Sequence, residues 1–533
     1  MNESAPNEPG PNEPAPRHPG LSRRAAIGAG AGVLAAGVLG VPALAGWRGQ
    51  SSTGTQLRSE IPLPPPFQRP MVLPPVLTPS SRADGADLYQ LRQYPVPVEV
   101  VPGYRTTAWT YGGTFPGPTI RSRAGRRTIV EHTNELPVPT VVHLHGGVTP
   151  PEDDGYPTDL ILPDETWQGY GHGGDTTVRT RSYEYPLQQR GATLWYHDHR
   201  MDFTGPAVWR GLAGFHLVTD PEEERLDLPH GERELPLALM DRAFDTQGQF
   251  LYPSLDPGLI DPPGVRHPYE SGMLGDVILV NGRAWPYHQV DTALYRLRFL
   301  NASNARRYRL RFEVDGEEVD LPIIQIGSDH GLLAGPVRHE ALTLAPAERF
   351  DVLVDFRSLR PGAQVRVVND LGAGSTADVM RFDVTRQVSD ERAVPDMLST
   401  RLERLRVADA VRTRAMTFRS QPIDGMHGWV VNGRPFDPDV THATVELGST
   451  EIWELTGDFH HPVHLHLSPF QVLGRSTGGP GPFDAGWKDT IDLRPAETAR
   501  IIVRFDGYRG RYVFHCHNLE HEDMMMMANF DVV

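Results

Sequence analysis

Cysteine is almost missing from this 533-residue chain, which has a single one, Cys516. No intramolecular disulfide can form, so oxidative cross-linking contributes nothing to the fold. A zinc ribbon, which needs paired cysteines, and covalent haem attachment through C-x-x-C-H are excluded on the same ground. Cys516 therefore has to be explained by its own chemistry. Positive charge is also in deficit: 51 Lys and Arg stand against 67 Asp and Glu, a net charge of -16, and no long basic run offsets it. Nucleic acid or an anionic membrane is not expected as the main partner.

The length suits two to four domains, each able to bury its own core. At the N-terminus a polar, Pro- and Glu-rich lead runs into Ser22-Arg23-Arg24, then a mildly apolar Ala/Gly/Val/Leu stretch that closes on Ala43-Leu44-Ala45. Residues 1–45 resemble a twin-arginine export signal with an A-x-A cleavage site. The expected location is periplasmic, cell-wall or extracellular, without stable membrane insertion once the signal is removed. The stretch is about long enough to span a bilayer, so retention as an anchor is the alternative. Residues 46–85, with RSEIPLPPPFQRPMVLPPVLTP, favour an extended strap over a packed domain.

The remainder is made of short alternating runs such as RTIVEHTNE, YRLRFLNAS, FDVLVDF and TARIIVRF, punctuated by Gly, Pro and Asn/Asp. That is an all-β pattern. Three segments, starting at Phe115, Val280 and Val431, repeat one another. Each is followed by a second similar pair of strands, ending in RGATLWYHDH, RPGAQVRVVND and RGRYVFHCH. Three copies of one β-sandwich explain the length. The expected boundaries are 86–221, 222–387 and, after a charged connector at 388–412, 413–533. Copies one and three carry histidines at both motif positions; copy two carries none, which makes it a spacer or a wall.

Residues i and i+2 of a strand share a face, so each H-x-H presents two imidazoles to one side. There are four such pairs: His143/His145, His197/His199, His464/His466 and His515/His517. Placed at equivalent points of two repeats, they suggest eight imidazoles converging between copies one and three, a set that suits copper. Cys516 lies between His515 and His517 and points to the opposite face, so it belongs to a different metal. His461, His521 and Met526 are its candidate partners, and two His, one Cys and a weak axial Met form a blue-copper ligand set.

Four motifs, HLHGGVTPPEDDGYP, QQRGATLWYHDH, HPVHLH and HCHNLEHEDMMMM, together resemble those of the multicopper oxidases, over nearly the whole chain past the signal. The likeness is greatest to the bacterial spore-coat laccase, bilirubin oxidase and phenoxazinone synthase branch. It implies three cupredoxin-like Greek-key sandwiches and four copper ions: one type 1, one type 2 and two type 3. By that resemblance type 2 copper takes His143 and His464. The type 3 pair takes His145, His197, His199, His466, His515 and His517. Type 1 copper takes His461, Cys516, His521 and Met526. The family spacing selects Met526 from the run Met524 to Met527, and His461 over His460. Asp154 and Glu522 match acidic positions that serve catalysis near the trinuclear site; Asp489 is a further candidate for orienting a ligating histidine.

The implied activity is laccase-like, four one-electron oxidations of phenolic, aromatic or bilirubin-like molecules coupled to reduction of O2 to two waters, by a monomer. An axial Met implies a low or intermediate type 1 potential. A cuprous-ion oxidase is the alternative, but the Met-rich insertion usual there is not seen. A non-catalytic cell-envelope relative would lack ligands, and a copper nitrite reductase would have two repeats. Segments near His521 and at 253–276 are expected to shape access to the type 1 site.

Overall fold

A computed structural model describes residues 52–167, 173–318, 321–423 and 426–533. The Arg23-Arg24 pair and the Ala43-Leu44-Ala45 site lie outside the described residues. Among those described, no helix is long and apolar enough to cross a membrane.

The strands form three two-sheet sandwiches along the chain. In the first, the sheet containing Ala86–Val98 and Arg127–Asn134 faces a four-stranded sheet ordered Gly117–Arg123, Ala213–Thr219, Ala192–Asp198, Val142–His145. The second pairs a seven-stranded sheet built on Glu234–Arg242 with a six-stranded one; the third pairs two five-stranded sheets. A parallel pairing recurs in each copy: Ala86–Val98 with Arg127–Asn134, Glu234–Arg242 with Leu294–Asn301, and Ala410–Ile423 with Thr450–Gly457. Such pairings need connections that cross between sheets, which accounts for strands next to each other in space being distant in sequence.

Burial along the strands follows their position. After an exposed Arg127, the strand Arg127–Asn134 alternates between buried and half-buried residues, as a strand with one covered face should. Ala192–Asp198 is buried throughout because both its faces are covered. Leu194 and Tyr196 pack into the first sandwich, whereas Trp195 packs with the core of the second. The odd-numbered face, which includes His197, therefore looks out of its own sandwich and toward the others. In the third sandwich Phe514 and Cys516 enter the core, while Val513 joins a separate cluster with Met201 and Phe436.

The strap is mostly irregular and touches all three sandwiches. Thr55–Gln56 pairs with Met273–Leu274, Val76 bridges Thr119, and Thr53 Oγ1 accepts from the His460 N–H at 3.1 Å. Leu57, Ile61 and Met71 are its buried anchors.

Candidate metal centres

Two antiparallel strand pairs place the histidines. Val142–His145 runs against Ala192–Asp198 with His143 opposite His197, and His461–Leu465 runs against Gly510–Cys516 with His464 opposite His515. The two interface faces meet, so all four H-x-H pairs converge, and every one of the eight imidazoles is buried. His145 stacks on His464 with ring centres 3.6 Å apart, and His143 on His466 at 3.9 Å.

The ring nitrogens sort into groups. His143 Nε2 and His464 Nε2 lie 3.4 Å apart. His515 Nε2 lies 3.2 Å from His199 Nε2 and 3.3 Å from His466 Nε2, making one triad. His145, His197 and His517 make a second, their candidate ligand atoms all within 4.8 Å of one another. Each triad draws on both sandwiches.

Most of the outward nitrogens have partners, whereas His199 Nδ1 is buried without one. His143 Nδ1 donates to the Asp154 carbonyl at 2.5 Å, His197 Nδ1 to the Asp198 carbonyl at 2.8 Å, and His464 Nδ1 to the Asp489 carbonyl at 2.9 Å. His145 is reversed: its Nε2 faces Asp489 Oδ1 at 3.1 Å and Thr490 Oγ1 at 3.2 Å. The inward atoms His145 Nδ1 and His197 Nε2, and both nitrogens of His517, are buried without a hydrogen-bond partner. Each orphan costs about 1–3 kcal/mol if left so. Burial holds His143, His145, His197, His466 and His517 well below the ordinary histidine pKa, hence neutral, with a lone pair free for a metal. The residues present fit metal ions at this place.

On the far side of the Gly510–Cys516 strand a third group forms. Cys516 Sγ lies 3.4 Å from His461 Nδ1 and 3.5 Å from His521 Nδ1, and the two nitrogens are 3.2 Å apart. The short helix Leu519–Asp523 turns the chain so that His521 returns toward Cys516. Met526 is held there by backbone bonds, its N–H donating to the His521 carbonyl at 2.9 Å and its carbonyl accepting from the Cys516 N–H at 3.1 Å. The Met526 side chain is fully buried in the same core as Cys516, while Met524 and Met525 are half-buried. His461 Nε2 reaches Asp458 at 2.9 Å, and His521 Nε2 reaches the Ser271 carbonyl at 3.1 Å. Trp429 stacks on His521, centres 3.6 Å apart. Burial pushes the Cys516 thiol well above its usual pKa, so its ionisation has to be coupled to the arrival of a cation.

Both acidic candidates touch the histidines. Asp154 Oδ2 is 2.7 Å from His466 Nδ1, and Glu522 Oε2 is 3.0 Å from His515 Nδ1. Thr149 donates to the first and Thr204 to the second. Burial pushes Asp154 up to about 8. Burial acts upward on Glu522 as well, but His515 and His199 beside it outweigh that and hold it low.

Sequence reasoning missed several buried ionisable groups. Asp523 accepts from the Thr204 and Gly205 N–H groups at 2.8 Å, which places a carboxyl group at the start of helix Thr204–Arg210 and ties the third sandwich to the first; burial, and Glu522 beside it, push its pKa well above the usual carboxylate value. Glu520 accepts from Asn304, Tyr252 and the Met273 N–H. The "E-H-E-D" run gave a weak signal for both. Arg349, Asp329 and His330 of the middle sandwich gave none, since only the fold brings them beside Asp489. The middle copy is thus more than a spacer: it reaches the histidine cluster.

Multicopper oxidase family models match residues 95–171 and 404–533. The chain is 39% identical to a laccase of Bacillus stratosphericus over 483 residues, covering 80% of this chain and 91% of the relative. It is 32% identical to a bilirubin oxidase of Albifimbria verrucaria, covering 88% and 81%. The crystal structure of a laccase from Pediococcus acidilactici Pa5930 superposes with a TM-score of 0.76 at 31% identity, covering 90% of this chain and 96% of that one. The three sandwiches are cupredoxin-like domains, and the chain belongs to the multicopper oxidase family as a laccase-like, copper-dependent oxidoreductase with O2 as acceptor.

Proposed function

We propose that the chain holds four coppers and couples four one-electron oxidations of small aromatic molecules to reduction of O2 to two waters. One observation carries this reading. Two buried histidine triads, one of them with partnerless inward nitrogens, lie one residue away along the chain from a Cys516/His461/His521 triad. In this assignment His461, Cys516, His521 and axial Met526 hold type 1 copper, and His143 and His464 hold type 2. His199, His466 and His515 hold one type 3 ion; His145, His197 and His517 hold the other. The coppers supply reversible one-electron steps and the binding of O2.

The protein's own residues do the rest. Cys516 is covalently continuous with His515 and His517, which gives an electron a short through-bond path from one centre to the other. Asp154 and Glu522, each in contact with a cluster histidine, are placed to pass protons to the water-forming site. A cavity of about 360 Å3 borders the type 1 group, lined by Leu255, Pro263 and Val265 from the middle domain and by His427 and Met524 from the third. His427 packs edge-on against Trp429 at 4.9 Å, and Trp429 stacks on His521, so two rings connect the cavity to a type 1 ligand. A largely apolar cavity of this size suits phenols and aminophenols. We further propose a monomer exported through its twin-arginine segment, with Arg23 and Arg24 outside the described residues.

The test is copper-loaded protein examined for an intense red-wavelength thiolate-to-copper absorption, then for O2 uptake with phenols, bilirubin and Cu(I). A blue band, and four equivalents of phenol oxidised per O2, are expected. No band and no uptake would overturn the reading; a response to Cu(I) alone would move the activity to a cuprous-ion oxidase.

A further inference from the structure

The middle domain approaches the histidine cluster through charge. Its hairpin between strands Ile323–Ser328 and Gly331–His339 carries Asp329 and His330 at the tip. Asp329 Oδ2 accepts from the backbone N–H groups of Asp489 at 3.2 Å and Thr490 at 3.3 Å, and lies 3.1 Å from Lys488 Nζ. Its other oxygen accepts from the Arg349 N–H at 2.9 Å. Arg349 then grips the Asp489 carboxylate with both arms, Nη1 donating to Oδ1 at 2.7 Å and Nη2 to Oδ2. His330 Nε2 lies 3.0 Å from that same Oδ2.

Asp489 in turn touches a histidine from each side of the interface, His145 through Oδ1 and His464 through its carbonyl. His145 thereby has its Nε2 committed and its Nδ1 turned toward His197 and His517. Two glycines record how closely the parts fit. A Cβ on Gly146, the residue after His145, would stand 2.8 Å from Arg349 Nη2 and 3.0 Å from Asp489 Oδ2, and its φ is +87°. A Cβ on Gly331 would meet the Gly191 carbonyl oxygen of the first domain at 2.1 Å, so the hairpin tip is wedged against that domain too.

We propose that the ligand-free middle domain sets the geometry of the trinuclear site: Arg349, Asp329 and His330 clamp Asp489, and Asp489 fixes which nitrogen of His145 faces the metals. This rests on the trinuclear assignment above. Arg349, Asp329 and His330 are positioning residues, since each acts through Asp489 and none belongs to the histidine groups that would hold the ions. A guanidinium fork defines the plane of a carboxylate, which a lysine ammonium does not. Outer partners of a metal ligand acting in this way typically contribute 10- to 100-fold in metal affinity.

The experiment compares copper-loaded parent, Arg349→Lys, His330→Gln and a control, Arg296→Lys. Arg296 is likewise buried in the middle domain, where it pairs with Asp351 and Glu223 rather than with Asp489. Copper per chain is measured after dialysis against a chelator, with the near-ultraviolet type 3 absorption, the blue band and the melting temperature. For Arg349→Lys, about 10- to 100-fold weaker retention of trinuclear copper is expected, with the blue band intact. Arg296→Lys should lower the melting temperature and keep its copper. Retention by Arg349→Lys within about twofold of the parent, or equal copper loss in the two Arg→Lys variants, would overturn the proposal. If Arg349→Lys does not fold, His330→Gln decides: retention has to fall at least about threefold, or the proposal fails. A parent with no type 3 absorption would instead show that the trinuclear assignment itself is wrong.

Discussion

The first and third domains carry the same strand motif, His197-Asp198-His199 and His515-Cys516-His517, and differ at its centre. In both, the flanking histidines face the interface and the central residue points into its own sandwich. Asp198 there accepts from the backbone N–H groups of Val141 at 3.0 Å and Arg200 at 3.2 Å, and burial pushes its pKa up to about 7. Cys516 meets His461 and His521. The path of the chain just beyond each motif makes the difference. After His517 the chain turns through Leu519–Asp523 and brings His521 back; after His199 it enters Thr204–Arg210, which contains no histidine. One backbone plan thus makes a candidate metal centre or a hydrogen-bonded carboxyl group according to the next few residues.

The largest effect should come from removing that distinction at the third domain. Cys516→Ser should abolish the blue band and reduce substrate oxidation to background, because the soft thiolate is lost, while copper falls only from about four to about three per chain. Visible absorption and metal analysis check this; a mutant that stayed blue would mean that the thiol is not a ligand.

Next in size is the interface that both motifs share. Glu522→Gln or Asp154→Asn should slow O2 reduction by about 100- to 10,000-fold if the carboxylate transfers protons, with the blue band unchanged and rapidly bleached by substrate. Stopped-flow reoxidation by O2 reads this directly, and parental rates in both variants would remove the role.

The smallest effect belongs to the first domain. Asp198→Asn should cost about 1–3 kcal/mol through its weakened backbone bonds and leave copper content and colour as in the parent. Chemical denaturation and metal analysis are the measurements; loss of type 3 copper would give Asp198 a part in the cluster that its hydrogen bonds do not suggest.

Much of this site was legible because metal ligation needs few residue types at short, regular intervals. Strand periodicity alone separates the faces of His515, Cys516 and His517, and the repeat shows that two copies contribute. The buried partners of the ligands were less visible. Asp154 and Glu522 stand close in sequence to candidate ligands, and family likeness singled them out; the fold sets them against His466 and His515. Arg349 lies more than a hundred residues from the nearest ligand and reads as one more surface arginine until the fold buries it. Its sequence neighbourhood, AERFDVLVDF, carries only a strand signal.

By itself the sequence determined the all-β repeats, the candidate ligand types and the strand face on which each lies, because these depend on local periodicity and side-chain chemistry. Only the tertiary structure decided how the six histidines other than His143 and His464 divide into two triads and which nitrogen of His145 faces the cluster. It also decided that a domain without ligands holds Asp489 in place. Those outcomes depend on distances between strands of different domains and on charges paired across buried interfaces, which no local pattern encodes.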